Sequence, residues 1–591
     1  MPILPSIGRK SIKLRIVIGL MYTLLTLGSI TMLYPFLLMV SGSIKGMADM
    51  DQIDVVPKVL YSEKMQFSRF LEDRYSPINT LSAACSNEVF KSSDVDIPRF
   101  DQRELDTYHQ FIKHEAGRFP DHFYIIQEIS MDQKIVRRNY RLFRDQLQKE
   151  FVTIDNYNKR FDSAMSSWNE FPSVSDKPLV KEFSYERTAY MNRYMEFKRS
   201  RPANEKILLN IDGFYFNSQK LMPLVKSGQI KPIPILTAKC PNGKEAEVWA
   251  EFVKHYLNCL FIELNPEGLK EFRKFIAAKY PRGIAQMNNI TDTAYPSFDA
   301  IKANDEDLRN NAFFTLYTEF ITNICPAKYL IVDSPSTRYR QFTGSKSAAL
   351  PLLANDYTVF KETKMTYLKE IYTRNYVRVI QYIAVYGKAI FNTFVYVGLS
   401  ILAALTINPL AAYALSRFNL KSTYMILMFF LATMAFPGAV TMIPNFLLLK
   451  QLGLLNSYWA LVLPVAANGY SIFILKGFFD SIPKEVYESA LIDGAGEWTM
   501  FWRFTMALSK PILALITLGA FTAAYTAFMF ALIICPDERM WTLMVWLYQL
   551  QQGAHQSVIY AALVLAAIPT LLVFVFAQNT IMKGIVIPVE K

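Results

Sequence analysis

The sequence predicts a membrane-spanning all-α bundle of six helices, interrupted after the first by a large soluble α+β domain. Three observations carry this. Mean hydropathy is only +0.14 although 52% of the 591 residues are hydrophobic, so apolar character is concentrated in part of the chain. Residues 16–40, IVIGLMYTLLTLGSITMLYPFLLMV, carry no charge over a stretch long enough to cross a hydrocarbon core of roughly 30 Å. The chain then turns polar from residue 45 to 385 and returns to apolar runs at 389–415, 423–443, 457–478, 511–534 and 557–579, each near the ~20 residues of a spanning helix. The implied domains are 1–60, a tail and first span; 61–370, an inserted soluble domain; and 371–591, five helices with an interhelical loop at 480–511.

Arg9, Lys10, Lys13 and Arg15 precede the first span, as in a signal peptide, but the apolar run is too long and lacks a small-residue cleavage pattern. It reads as a retained span with a cytoplasmic N-terminus. Arg417, Lys421, Lys476, Lys484, Arg503, Lys510, Lys583 and Lys591 follow the second, fourth and sixth spans. The opposite connections, 437–457 and 535–556, hold Lys450 and the mixed Asp537, Glu538 and Arg539. Basic residues resist translocation, so both termini are expected in the cytoplasm and 61–370 outside. Much of the basic excess behind the net charge of +12 lies in these flanks, which leaves little case for nucleic acid.

Cys85, Cys240, Cys259 and Cys325 lie in the polar middle and Cys535 near a span end, without CxxC spacing, so a zinc site is not expected. Two disulfides and four buried thiols both remain open. The middle region repeats Tyr or Trp followed three residues later by Phe, at 108/111, 140/143, 168/171, 194/197, 249/252, 317/320, 339/342 and 357/360, where composition predicts about one or two such pairs. Four pairs precede short apolar runs: FYIIQ, ILLNI, LFIEL and YLIVD. Degenerate helix-then-strand repeats produce this order; an aromatic-rich core is the alternative.

The stretch 485–504, EVYESALIDGAGEWTMFWRF, lies between the fourth and fifth apolar runs. Asp480 or Ser481 suits a helix cap, Pro483 a first turn, and Asp493-Gly494 a stop. A short helix over 483–492 follows, with Ile482, Val486 and Ala490 on one face, and a second helix from Glu497. Nine or ten residues are too few for a stable isolated helix, so it needs a docking surface. An amphipathic connector on the lipid is the alternative, but Glu485, Glu488, Asp493 and Glu497 would be repelled by an anionic leaflet.

Glu488-Ser489-Ala490-Leu491-Ile492-Asp493-Gly494-Ala495, with Phe501, Phe504 and Pro511, resembles the cytoplasmic "EAA…DGA" loop of binding-protein-dependent ABC importer permeases. YPFLLMVSGSIK (34–45), RNY (374–376), FNTF (391–394), AAYALSRF (411–418), FPGAVTMIP (436–444), LGLLNS (452–457), SIPKEVYE (481–488) and Lys583-Gly584 agree in order with the carbohydrate-importer subfamily related to the maltose permeases. The resemblance covers 1–60 and 371–591. Ser489 replaces the motif's second alanine, Ala507 a later proline, and Tyr525-Thr526-Ala527-Phe528 the usual Trp-Asn-Asp-Phe.

The resemblance implies the ABC importer transmembrane fold, a second permease subunit as heterodimeric partner, an ABC ATPase dimer that binds ATP and Mg, an extracytoplasmic substrate-binding protein and a plasma (inner) membrane location. It implies no cofactor, metal or catalysis in this chain. Glu488, Ser489, Ala490, Asp493, Gly494, Ala495 and Gly496 would form the ATPase-coupling element. Asn392, Asn468, Tyr525 and Thr526, polar positions on apolar runs, are candidates for a translocation path. Trp541, Tyr548 and Gln549 are candidates for contact with the binding protein. Gly344-Ser345-Lys346-Ser347 lacks the glycine spacing of a phosphate loop, and His109, His114 and His122 have no metal-ligand spacing. The rival reading is an extracellular carbohydrate-binding or degrading domain tethered by its spans.

Overall fold

The computed structural model describes residues 12–585 apart from 76–77, 116, 127–137, 166–167, 169–175, 203–204, 217–234, 244, 387, 419 and 435–436; the side chains of 13–14, 138–141, 216, 384–386, 434, 439 and 579–585 are also outside the description. Arg9, Lys10, Phe171 and Lys591, and the side chains of Lys13, Tyr140 and Lys583, fall outside these described residues. The chain divides into two compact units, Met1–Ile44 with Ile371–Lys591, and Lys45–Glu370.

Among its described residues the Lys45–Glu370 unit is mostly helical, with four short strands: β1 (Tyr124–Ile125), β2 (Ile207–Leu208), β3 (Ile262–Leu264) and β4 (Leu330–Val332). All four lie in the four apolar runs. They pair antiparallel, β1 with β2 and β3 with β4, with Tyr124 opposite Leu208 and Glu263 opposite Ile331. Each strand follows a helix carrying an aromatic pair: Gln102–Glu115, Ala189–Ser200, Glu245–His255 and Asn311–Glu319, the last pair ending at Phe320 just beyond its helix. Tyr108, Phe111, Tyr194, Phe197, Trp249, Phe252, Tyr317 and Phe320 are all buried in one core. The repetition extends past the strands. Asn265 after β3 and Ser334 after β4 each cap a helix whose first residue is proline, where the missing N–H costs nothing. The five cysteines are free thiols, so no disulfide braces this core.

His122 sits inside that core, edge-on to the Phe123 and Phe261 rings at 5.0 and 4.9 Å. Burial, then the positive charges of Lys198 and Arg338, push its imidazole down to about 3. Gly344, in the rejected phosphate-loop match, has φ +67° and ends the Pro335–Thr343 helix in the left-handed conformation.

In the other unit, the Ile12–Gly42 helix packs on Gln556–Ile585 so closely that a Cβ on Gly42 would lie 2.3 Å from the Tyr560 ring. The Ser43 carbonyl accepts from Asn375 Nδ2 at 2.7 Å, and its hydroxyl lies 2.6 Å from Tyr376 Oη. Two motifs separated by the whole polar middle are thereby joined.

Among the described residues, three helices are long and apolar enough to span a membrane: Arg15–Gly42, Ala389–Arg417 and Gln556–Gln578. Two bent pairs qualify if each counts as one span: Tyr458–Ala466 with Gly469–Asp480, bent by 50°, and Glu497–Leu508 with Lys510–Thr526, bent by 82°. Three runs expected to be continuous are therefore interrupted. The 423–443 run splits into Thr423–Met434 and Gly438–Gln451 because Pro437 cannot extend the first helix. The 457–478 run breaks where Asn468 Oδ1 accepts from the Ser471 amide and starts a new helix. The 511–534 run breaks at Ala527, whose ψ of 92° is extended.

A depressed histidine pKa makes the Lys45–Glu370 unit acid-sensitive. The unfolded chain binds the His122 proton below about pH 6.5 while the fold refuses it until about pH 3, so this contribution is whole above 6.5 and lost on acidification. Asp305, 3.9 Å away and raised by burial and by Glu263, Asp121 and Asp333, acts in the opposite sense. Between pH 7 and 5, His122→Gln is expected to lose about 2 kcal/mol less stability than wild type. Hydrogen-exchange mass spectrometry on peptides covering β1 and β3 measures the difference.

Candidate functional site

The 480–511 loop folds as Lys484–Ile492, a short helix Glu497–Thr499, a π-helical turn Met500–Thr505 and Met506–Leu508. Its start differs from expectation. Pro483 is the cap and offers no side-chain bond. Asp480 is held instead by Lys476 Nζ and by Ser416 Oγ, and Ser481 Oγ donates to the Phe478 carbonyl, so neither reaches the new helix. The stop is as expected. Gly494 has φ +79°, the Ala495 amide donates to the Ala490 carbonyl at 2.9 Å and the Gly494 amide to Leu491 at 3.0 Å. This crossed pair closes a helix through a left-handed residue, which glycine adopts without a Cβ penalty.

One face of the short helix is anchored. Ile482, Tyr487 and Ala490 are buried with Ala412, Tyr413, Leu415, Leu475, Phe479 and Phe501. The Arg417 guanidinium lies over the Tyr487 ring at 3.6 Å and donates to the Phe479 carbonyl. Tyr487 Oη is 2.7 Å from Thr505 Oγ1, which donates back to the Met500 carbonyl across the π-helical turn. Tyr413 Oη donates to Glu497 Oε2 at 2.8 Å, and its ring meets Phe501 edge-on at 5.3 Å. The Arg417 and Tyr413 contacts tie the loop to Ala389–Arg417 and Gly469–Asp480, while Tyr487 with Thr505 and Thr505 with Met500 brace the loop within itself. The opposite face is open: Glu488, Ser489, Asp493, Gly494 and Gly496 are exposed, Ala495 is half-buried, and Leu491 and Ile492 present apolar surface, Ile492 at 87% exposure.

The remaining expected positions divide. Asn392 is buried: its Nδ2 donates to the Arg539 and Trp541 carbonyls at 2.8 and 3.0 Å, and its Oδ1 accepts from Tyr458 Oη at 2.8 Å. Tyr525 is buried and donates to the Ala566 carbonyl at 2.7 Å. Asn468 and Thr526 are exposed; the Asn468 amide donates to Asn408 Oδ1 at 2.8 Å and Thr526 Oγ1 to Thr522. The Trp541 ring stands edge-on to Trp546 at 5.4 Å, Tyr548 lies 5.3 Å from Phe528, and Gln549 is half-buried on Leu543–Gln551. The structure thus joins Asn392 with Trp541, and leaves Asn468 and Thr526 at breaks in their helices.

Sequence reasoning gave Tyr413, Tyr487 and Thr505 no role in this site and read Arg417 only as a flanking charge. Tyr413 and Arg417 stand four apart in AAYALSRF and so share a helix face, an available signal. Tyr487 and Thr505 are joined only across the glycine turn, which spacing does not show.

Residues 388–586 match the family described as "binding-protein-dependent transport system inner membrane component". The chain is 37% identical over 195 residues to the polygalacturonan/rhamnogalacturonan transport system permease protein YtcP of Bacillus subtilis, covering 30% of this chain and 68% of that one. Protein LplC of the same organism is 36% identical over 192 residues, 30% of this chain and 64% of its own length. The trehalose/maltose transport system permease protein MalG of Thermococcus litoralis is 34% identical over 218 residues, 36% of this chain and 78% of that one. A crystal structure of a bacterial ABC transporter involved in import of the acidic polysaccharide alginate aligns at 26% identity and a TM-score of 0.32, over 35% of this chain and 78% of that chain. The chain belongs to the binding-protein-dependent permease family, the membrane components of ABC transporters.

Asn392→Ala would strand two backbone carbonyls and the Tyr458 hydroxyl. A loss of roughly 2–4 kcal/mol is expected, read as a lower melting temperature and faster proteolysis within 535–542. The expectation fails if both are unchanged.

Proposed function

We propose that this chain is a permease subunit of an ATP-driven importer for a sugar or oligosaccharide, with Lys484–Ile492 as its coupling helix. The observation that carries the proposal is the division of that helix into two faces. A buried face locked to two apolar helices transmits a push as rigid-body motion; an exposed acidic and apolar face supplies a place to push.

In this reading Glu488, Ser489, Asp493, Gly494 and Gly496 meet an ABC ATPase dimer, which binds the ATP and Mg while this chain holds no cofactor. Ala490 and Ala495, small and turned inward or half-inward, set how closely the helix sits on its own bundle. Six spans with both termini cytoplasmic put 61–370 outside, consistent with the basic flanks. A second permease completes the path, to which Asn468 and Thr526 contribute exposed polar groups, with Asn392 and Tyr525 shaping its walls. A substrate-binding protein docks at 535–556, near Trp541, Tyr548 and Gln549. Relatives named for polygalacturonan/rhamnogalacturonan, trehalose/maltose and galactooligosaccharide transport support a saccharide cargo. The tethered-enzyme rival gives the packed loop no role.

Glu488→Lys and Gly494→Asp are each expected to cut uptake roughly tenfold or more, as loss of ~1.4 kcal/mol or more of docking requires, in cells supplied with both permeases, the ATPase and the binding protein. Co-purification of the ATPase falls in parallel. Unimpaired uptake in both variants contradicts the coupling assignment.

A further inference from the structure

In the Lys45–Glu370 unit, a cleft of about 250 Å³ opens where two helix starts, at Thr188 and Asn310, meet the left-handed residue Asp292 that ends Ile284–Thr291. Arg187 and Arg309 line it, and among the described residues neither forms an ion pair. They are positioned by neutral acceptors. Arg187 Nη2 donates to the Glu306 carbonyl at 2.6 Å, while Arg309 donates through Nε to the Tyr185 carbonyl at 3.3 Å and through Nη2 to Asn192 Oδ1. These bonds fix both guanidiniums without a direct carboxylate contact to either.

Arg309 is half-buried, and burial, then the like charges of Arg199 and Arg187, lower its pKa against the opposing pull of the Asp121 and Glu306 carboxylates. Arg199 is itself satisfied by Asp121, through Nε to both carboxylate oxygens and through Nη2. The helices Ala189–Ser200 and Asn311–Glu319 add the positive ends of their dipoles. Acceptors stand on the same wall. Glu186 and Asp292 are exposed there, and Glu186 Oε1 accepts from Asn311 Nδ2 at 3.1 Å.

A simple inorganic anion pairs with the guanidiniums but holds its whole charge within reach of two carboxylates that repel it. A neutral sugar satisfies the carboxylates with hydroxyls and leaves the guanidiniums without a carboxylate in direct contact. A sugar acid satisfies both sets, since Arg pairs with carboxylate in a forked, charge-assisted geometry and hydroxyls donate to Glu and Asp. We propose that this cleft binds a carboxylate-bearing sugar unit of an acidic oligosaccharide, its carboxylate on Arg187 and Arg309 and its hydroxyls on Glu186, Asp292 and Asn311. The choice of a sugar scaffold rests on the saccharide reading above; the donor and acceptor pattern does not.

The test is isothermal titration of the full chain in lipid nanodiscs with trigalacturonate, with a neutral galactotriose and with inorganic phosphate. Wild type, Arg187→Gln and Arg309→Gln are compared, with hydrogen exchange reporting the fold. Trigalacturonate is expected to bind roughly tenfold or more tightly than either control, and each substitution to cost roughly tenfold. Arg187 is exposed, so its substitution keeps the test valid if Arg309→Gln misfolds. Equal binding of acidic and neutral trisaccharide, tighter binding of phosphate, or indifference to Arg187→Gln overturns the proposal. Saccharide uptake by the complete transporter is measured beside it. Uptake without cleft binding overturns the cleft and spares the importer; cleft binding without uptake of any saccharide does the reverse.

Discussion

The permease half of this protein depends on a clamp between the end of one spanning helix and the loop that follows two bent ones. Arg417 lies on the face of Tyr487, Tyr413 holds Glu497, and both sit at the C-terminal end of Ala389–Arg417. Neither contact is large by itself; a cation on an aromatic face is worth about 0.5–2 kcal/mol. Their effect lies in position. They fix a helix of nine residues, too short to persist alone, as an extension of a 29-residue one.

The hydrogen bonds elsewhere in this half follow the same logic. Asn375 reaches the Ser43 carbonyl, Asn392 two carbonyls beyond residue 538, Asn408 the Asn468 amide, and Tyr525 the Ala566 carbonyl. Helices among apolar neighbours gain little from hydrophobic sorting, so side-chain bonds to exposed backbone groups hold them in register. Asn375 and Asn392 lie in sequence blocks that resemble those of the family. Much of what looks like a functional motif in this chain is therefore the means by which bent helices are joined.

The legible parts were those with local causes. Asp493-Gly494 gave the helix stop through the conformational freedom of glycine, and the uncharged run at 16–40 gave the first long apolar helix. The four apolar runs held all four strands, because their aromatic pairs share helix faces that bury in one core. What escaped had distant causes. The helix cap failed at Asp480 because Lys476 and Ser416 claim its carboxylate, and Ser416 lies 64 residues away. Asn392 and Tyr525 read as path residues from their polarity alone, whereas their partners lie across the fold. The breaks at Pro437, Asn468 and Ala527 were hidden because apolar runs show length, not continuity.

The account stands on the short helix moving with its span as one body. Spin labels at Ser489→Cys and Leu402→Cys, both exposed positions, in a chain whose five native cysteines are replaced, report this by pulsed electron resonance. In the assembled transporter, the account predicts one narrow distance distribution, the same without nucleotide and with ATP bound. A shift of more than roughly 2 Å, or marked broadening in either state, would show that the loop yields instead of transmitting and would contradict the central claim.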